Sequence, residues 1–160
     1  SPLDSAGIKL LAQGVDGTPR QLMERFLEDP RAVLLGTASF WEGVDLAGEA
    51  LSVLMLARLP FDVPTDPVFS ARSALYENAF REYSVPQAVL RFRQGFGRLI
   101  RREADRGAVV VLDRRTTARS YGGLFLRALP PCTVERPSLA ELPALVAGWL
   151  GASDEPLGGE

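Results

Sequence analysis

The sequence has few of the residues on which many catalytic and metal sites depend. Among its 160 residues it has no histidine, one cysteine (Cys132) and one lysine (Lys9). A single cysteine excludes a disulfide within the chain and any zinc or iron–sulfur site built from cysteines of this chain. No apolar run approaches the roughly 20 residues of a membrane span. We therefore expect a soluble protein of a reducing, cytoplasmic compartment, without a membrane partner.

Arginine, by contrast, is abundant in one segment. The overall composition is globular, with 46% hydrophobic and 24% charged residues and a net charge of -2. Residues 81–119 nevertheless hold ten arginines and four acidic residues, a local net charge of +6. A basic segment in a near-neutral domain indicates a polyanionic partner, either nucleotide phosphates or a nucleic-acid backbone, although solvated helix faces also collect arginine.

Short apolar runs alternate with helical patterns along the chain. The predicted strands are 7–14, 32–39, 51–59 and 107–113. The predicted helices are one opened by a Thr18-Pro19 cap, then 66–83, 84–102, 115–128, and 138–150 with an interruption at Pro143. Without a hairpin signal, this alternation predicts an α/β fold: a parallel β-sheet flanked by helices on both faces, in one domain over 1–150 with a disordered tail over 151–160.

The helix that contains QGFGRLIR (94–101) has two different faces. On a helical wheel its apolar stripe is Val85, Val89, Phe92, Phe96 and Leu99, and its polar stripe is Arg91, Gln94, Arg98 and Arg101. The two glycines of the segment each cost about 1 kcal/mol in a helix interior. An anionic ligand shared by Gln94, Arg98 and Arg101 would account for the clustered guanidiniums and for the glycines.

No nucleotide-binding loop accompanies these arginines in the sequence. Gly95-Phe96-Gly97 lacks the preceding strand and the third glycine of a dinucleotide fingerprint, since Ile100 stands where that glycine is needed. The chain has no GxxxxGK[ST] loop, and its only lysine lies in a predicted strand. A complete nucleotide-binding enzyme is therefore disfavoured, and the pattern predicts one half of a shared phosphate site.

Several longer segments carry a family resemblance. They are GTASFWEGVDLAG (36–48), LPFDVPTDP (59–67), QAVLRFRQGFGRLIRREADRGAVVVLDRR (87–115) and SYGGLFLRALP (120–130). Together they resemble the second RecA-like motor domain of superfamily 2 helicases of the DinG/XPD type, and most closely its bacterial DinG-like branch. The resemblance implies a RecA-like fold, ATP hydrolysis with Mg²⁺, single-stranded DNA as substrate and a role in DNA repair.

The resemblance also implies roles for individual residues. QGFGRLIR resembles helicase motif VI, which implies that Gln94 organises the attacking water and the phosphate. Arg98 and Arg101 would face the transferring phosphoryl group, with Arg101 as the arginine finger.

SFWEGVDLAG resembles motif V, a loop that couples the nucleotide to the DNA track. Glu42, Gly43 and Asp45 would then lie towards the nucleotide, and Ser39, Phe40 and Trp41 towards single-stranded DNA. A core or interdomain position is an equal alternative for Trp41. Asp113 and Arg115 match a DRR element of the family, and for this pair a structural ion pair is the favoured interpretation.

The chain departs from the family pattern at its beginning. Nothing before Ser5 supplies the opening strand and its serine motif, and we expect that strand in a preceding segment. ATP and Mg²⁺ would be held mainly by the first RecA-like motor domain of the same parent chain, which is the expected partner together with single-stranded DNA. The sequence leaves open whether that parent carries an iron–sulfur cluster. We expect a cytoplasmic, nucleoid-associated helicase, and the alternative is a stand-alone nucleic-acid-binding or adaptor module with the same fold.

Overall fold

A computed structural model describes residues 2–37, 40, 51–100 and 106–151. The chain divides into two compact units, Ser1–Ala50 and Leu51–Glu160. We call them the first and the second unit and describe each by itself. The predicted tail beyond Gly151 lies outside the described residues.

The first unit pairs two short strands in parallel and packs a helix beside them. Its elements are α1 (Pro2–Ser5), β1 (Leu10–Ala12), α2 (Pro19–Glu28) and β2 (Val33–Leu35). Helix α2 begins as predicted, since Thr18 and Gln21 form a reciprocal capping box and Pro19 occupies the first turn. The β1–β2 register places Leu11 opposite Leu34.

A small apolar core holds the first unit together. Leu11, Leu22, Met23 and Phe40 are buried in it, and Phe26, Ala32 and Leu34 pack against them. Leu27 of the same helix, by contrast, is 55% exposed. It follows Leu22 by five positions, which turns it about 140° away from the buried face. Strand β2 is exposed on one side of the pair, at Val33 and Leu35.

The second unit contains the other parallel strand pair. Its elements are β3 (Val53–Leu56), α3 (Pro67–Ser73), a π-helical segment (Phe80–Ser84), α4 (Val85–Leu99), β4 (Ala108–Val111), α5 (Arg115–Ala118), α6 (Gly122–Arg127) and α7 (Leu142–Gly151). Strands β3 and β4 run in parallel from the pair Val53–Ala108 to the pair Leu56–Val111. The four strands lie where the sequence predicted them and are shorter, and the described structure is α/β with parallel pairing.

Three predicted helices have different limits in the structure. The helix predicted over 66–83 stops at Ser73, and helical structure resumes in the π-helical segment that begins at Phe80. The helix predicted over 115–128 is broken at Arg119, whose backbone is extended. The predicted interruption at Pro143 is wrong, because Pro143 lies in the first turn of α7, where a missing N–H costs nothing.

The apolar stripe of α4 forms the core of the second unit, as predicted. Val85, Phe92, Phe96 and Leu99 are all less than 10% exposed, whereas Val89 is only partly buried. The ring of Phe92 meets that of Phe125 edge to face, with centroids 5.5 Å apart. Burial of this stripe fixes the direction of the polar face of α4. Among the described residues, no helix is long and apolar enough to cross a membrane.

Candidate functional site

The polar face of α4 presents two of the three residues predicted to face phosphate. Gln94 is exposed and Arg98 is partly exposed, while Phe92, Phe96 and Leu99 of the same helix are buried. Gln94 and Arg98 are one helical turn apart, so one bound group could contact both side chains. The helix thus offers an amide and a guanidinium side by side on its outer surface.

Arg91, which shares the polar stripe, has a different environment. It forms an ion pair with Asp62, and both side chains are largely buried. Arg91 therefore needs neither a bound anion nor solvent to compensate its charge. Its charge is compensated by a residue far away in the sequence, which a helical wheel cannot reveal.

Helix α4 ends before Arg101. The backbone of Ile100 is extended (φ -116°, ψ 107°), so the predicted continuation of the helix to Arg102 is wrong at this residue. Arg101 lies outside the described residues. Its predicted place beside Gln94 and Arg98 was based on helical spacing through Ile100, and it now rests on the resemblance to motif VI alone.

The two glycines of QGFGRLIR differ in their surroundings. Gly95 is buried. A Cβ added at Gly97 would meet no atom within 4 Å in the part of the chain that the structure describes. Within that part, no backbone approaches Gly97 closely enough to require glycine. The surface next to Arg98 is open at this position, which leaves room for a ligand or another domain.

The loop that resembles motif V is held at its start by β1 and β2. Gln13, directly after β1, accepts a hydrogen bond through its side-chain oxygen from the Thr37 amide (2.8 Å). Sequence reasoning overlooked Gln13, although a polar residue at the carboxyl end of a strand next to this loop was a signal for it. A side chain at Gly36 would crowd Phe40, because its Cβ would lie 3.0 Å from the Cβ of Phe40.

Phe40 has the position of a packing residue. It is 9% exposed and belongs to the core of the first unit with Leu11, Leu22 and Met23. So little exposed ring surface leaves almost none for a DNA base in this conformation. The DNA contact predicted for the loop therefore depends on Ser39 and Trp41. These two residues, and the predicted nucleotide-facing Glu42, Gly43 and Asp45, lie outside the described residues.

Asp113 and Arg115 form the structural ion pair that the sequence analysis favoured. The Asp113 carboxylate is 9% exposed and accepts hydrogen bonds from the Leu59 amide (2.9 Å), the Arg115 amide (3.0 Å) and the Arg115 guanidinium (2.5 Å). It joins the segments that follow β3 and β4. The side-chain hydrogen bond from Arg115, aided by both amides, holds the pKa of Asp113 well below its ordinary value.

The role of Asp113 leads to a stability prediction. Asp113→Asn should lower the free energy of unfolding by about 3 kcal/mol at neutral pH, because a largely buried charged acceptor is lost. The pKa of Asp113 is lower in the folded state than in the unfolded state. The stabilisation that its charge provides is therefore present above a pH of about 4 and is lost as the pH falls further. Urea unfolding at several pH values should therefore show the two proteins converging in acid. A constant difference, or an equal loss in the exposed-site control Glu135→Gln, would contradict this role.

Comparison with known proteins agrees with these features. Residues 1–132 match the helicase C-terminal domain family. The chain is 46% identical over 151 residues to the "3'-5' exonuclease DinG" of Bacillus subtilis, which covers 91% of this chain and 16% of that protein. It is 41% identical over 128 residues to the ATP-dependent DNA helicase YoaA of Escherichia coli (78% and 20%). It is 43% identical over 126 residues to the ATP-dependent helicase DinG of Mycobacterium tuberculosis (76% and 19%).

These matches define the class of the protein. The chain belongs to the helicase C-terminal domain family, and its relatives are DinG and YoaA proteins. The resemblance read from QGFGRLIR and SFWEGVDLAG is confirmed, and the parallel strand pairs agree with the RecA-like α/β class. The chain spans a fifth or less of the length of these relatives.

Proposed function

We propose that this chain is the second motor domain of an ATP-dependent DNA helicase of the DinG type. In this role it supplies one wall of an ATP site whose other wall is a first RecA-like motor domain in the same parent chain. The observation that carries the proposal is the exposed Gln94–Arg98 face of α4, in a helicase C-terminal domain whose sequence has no phosphate-binding loop. Two of the relatives described above are named as ATP-dependent helicases, which supports the assignment.

The polar face of α4 suits the triphosphate of ATP chemically. ATP and Mg²⁺ would be held mainly by the first motor domain, and hydrolysis of the terminal phosphate is the chemistry they bring. A glutamine amide both donates and accepts hydrogen bonds, so Gln94 is suited to orienting a water molecule against a phosphate oxygen. A guanidinium donates only and keeps its charge, so Arg98 and Arg101 would stabilise negative charge on the phosphoryl oxygens. An arginine supplied in this way raises the hydrolysis rate by about 10³ to 10⁵.

The loop after β2 would connect this site to DNA. We assign Glu42, Gly43 and Asp45 to the nucleotide side, and Ser39 and Trp41 to single-stranded DNA. The hydrogen bond from Thr37 to Gln13 and the buried ring of Phe40 support this assignment, because both fix the start of the loop to the first unit. Residues on a loop anchored in this way could transmit a change at the nucleotide to the DNA.

The remaining features of the proposal concern the parent protein. The chain would form a RecA-like domain over 1–150, with a parallel β-sheet flanked by helices on both faces, followed by a disordered tail. The parent would act on single-stranded DNA in the bacterial cytoplasm, at the nucleoid, in DNA repair. A stand-alone adaptor module is the competing function, and no feature of the described residues favours it over the motor domain.

ATP hydrolysis by the isolated chain tests the half-site directly. We expect no turnover above background, with or without single-stranded DNA, and ATP binding only in the millimolar range or not at all. The reason is that the phosphate cradle and the Mg²⁺ ligands belong to the other domain. Robust magnesium-dependent turnover by the purified chain, at a rate unchanged across independent preparations, would exclude the proposal.

A further inference from the structure

A groove of about 420 Å³ lies in the second unit between α4 and the end of α6. Helix α4 contributes Arg93, Phe96 and Gly97 to it, and Ile100 follows them. The other wall is formed by Arg127 and residues 128–130. On α4, Arg93 and Gly97 lie one helical turn apart, on a face rotated by about 100° from the Gln94–Arg98 face. The groove is therefore next to the proposed phosphate-facing surface and distinct from it.

Two arginines, Arg93 and Arg127, line the groove. Arg93 and Arg127 are both exposed, and neither forms an ion pair or a hydrogen bond within the part of the chain that the structure describes. Other arginines of the second unit do have acidic partners: Arg91 pairs with Asp62 and Arg115 with Asp113. Two guanidiniums with no acidic partner among the described residues make this groove a place where a negatively charged group would bind.

The groove also has an apolar part, which we call its floor. Ile100 and Leu129 are only partly buried and provide apolar surface in its lining, and the absence of a side chain at Gly97 keeps the groove open. Its volume lies within the range of about 300 to 1,000 Å³ typical of small-ligand sites. The matching ligand therefore combines an anion with an apolar, planar face. A nucleotide of a single strand has this combination, because its phosphate is charged and its base is exposed for stacking.

We propose that this groove binds single-stranded DNA, with Arg93 and Arg127 on a phosphate and a base or sugar against the apolar floor. The inference rests on the proposed function, which makes DNA the partner, and adds a contact separate from the Ser39–Trp41 loop. The inference also bears on the coupling between DNA and the nucleotide. Helix α4 would carry a DNA contact at Arg93 next to the phosphate-facing Gln94, so that a rigid element joins the two ligands.

Binding of the intact chain to a fluorescent oligothymidylate of about 20 nucleotides tests this proposal. The variant Arg93→Gln/Arg127→Gln should bind at least about tenfold more weakly at low salt. The slope of log affinity against log salt should become less steep, by about 0.7 for each phosphate contact removed. The control Arg72→Gln/Arg136→Gln removes the same charge at exposed arginines outside the groove. It should change affinity less than about threefold, as expected for charges that touch no phosphate.

A second variant fills the groove without changing its charge. Gly97→Leu should fold at least as well as the natural chain, because no described atom lies within 4 Å of the new Cβ and a helix glycine is removed. It should also weaken DNA binding at least about fivefold by occupying the floor against which a base would stack. Thermal unfolding of the same samples verifies that the fold is intact.

The possible outcomes separate the inference from the proposed function. Unchanged DNA affinity in both groove variants, or equal losses in the Arg72/Arg136 control, overturns the groove as a DNA site. If the groove variants instead lose binding of an ATP analogue and keep DNA binding, the phosphate belongs to a nucleotide, and the inference is wrong. If the natural chain binds no single-stranded DNA even at low salt, the groove and the DNA part of the proposed function both fail. The ATP half-site is tested independently by hydrolysis.

Discussion

Arg101→Ala in the full-length parent is expected to reduce ATP turnover at least about a hundredfold while ATP affinity changes little. An arginine that meets the phosphoryl group mainly in the transition state lowers the barrier without tightening ground-state binding. Arg101→Lys should restore little of the lost rate, because an ammonium retains the charge but lacks the planar fork of donors. Steady-state hydrolysis and nucleotide titration on the same preparations provide the two quantities.

A matched control and a stability measurement complete this experiment. Arg136→Ala removes an exposed arginine elsewhere in the second unit and should leave turnover unchanged. The melting temperature of the Arg101 variant should barely move, because the core contribution of α4 comes from Phe92, Phe96 and Leu99. If Arg101→Ala instead unfolds the domain, and the protein that remains folded hydrolyses ATP at the normal rate, Arg101 has a structural role.

Local patterns predicted the elements of this fold well. The capping box of α2 and the apolar stripe of α4 depend on residues within one or two helical turns, and both occur in the structure. The positions of the four strands followed from apolar runs. Parallel pairing followed from the alternation of strands with helices, since a helix between two strands returns the chain to the same edge.

Several contacts that the sequence analysis did not predict join residues that are distant in the sequence. The partner of Arg91 is Asp62, 29 positions away, and the Asp113 carboxylate binds the amide of Leu59, 54 positions away. The end of α4 is another example. A Cβ at Gly107 would lie 2.7 Å from the side chain of Leu99, so the chain returns tightly against the last turn of the helix. Helical periodicity continues past Ile100 in the sequence and contains no sign of this return.

At the candidate site, too, local spacing predicted positions well, whereas contacts between distant residues were not predicted. Gln94 and Arg98 were identified from their spacing on one helix, and the structure places them on its outer face. Phe40 was assigned to DNA because its neighbours resemble a DNA-contacting loop, and its burial depends on α2 and β1, which that resemblance does not describe. The Arg93–Arg127 groove was not predicted at all, because its walls are more than 25 residues apart in the sequence.

The half-site itself is tested most directly by comparing ATP hydrolysis in three proteins. They are this chain alone, the parent truncated before this chain, and the intact parent, each with Mg²⁺ and single-stranded DNA. A site shared between two domains is complete only when both are present. We therefore expect turnover above background only in the intact parent, and its loss there in Arg101→Ala. Full hydrolysis by the truncated parent, or any sustained hydrolysis by this chain alone, would contradict the account.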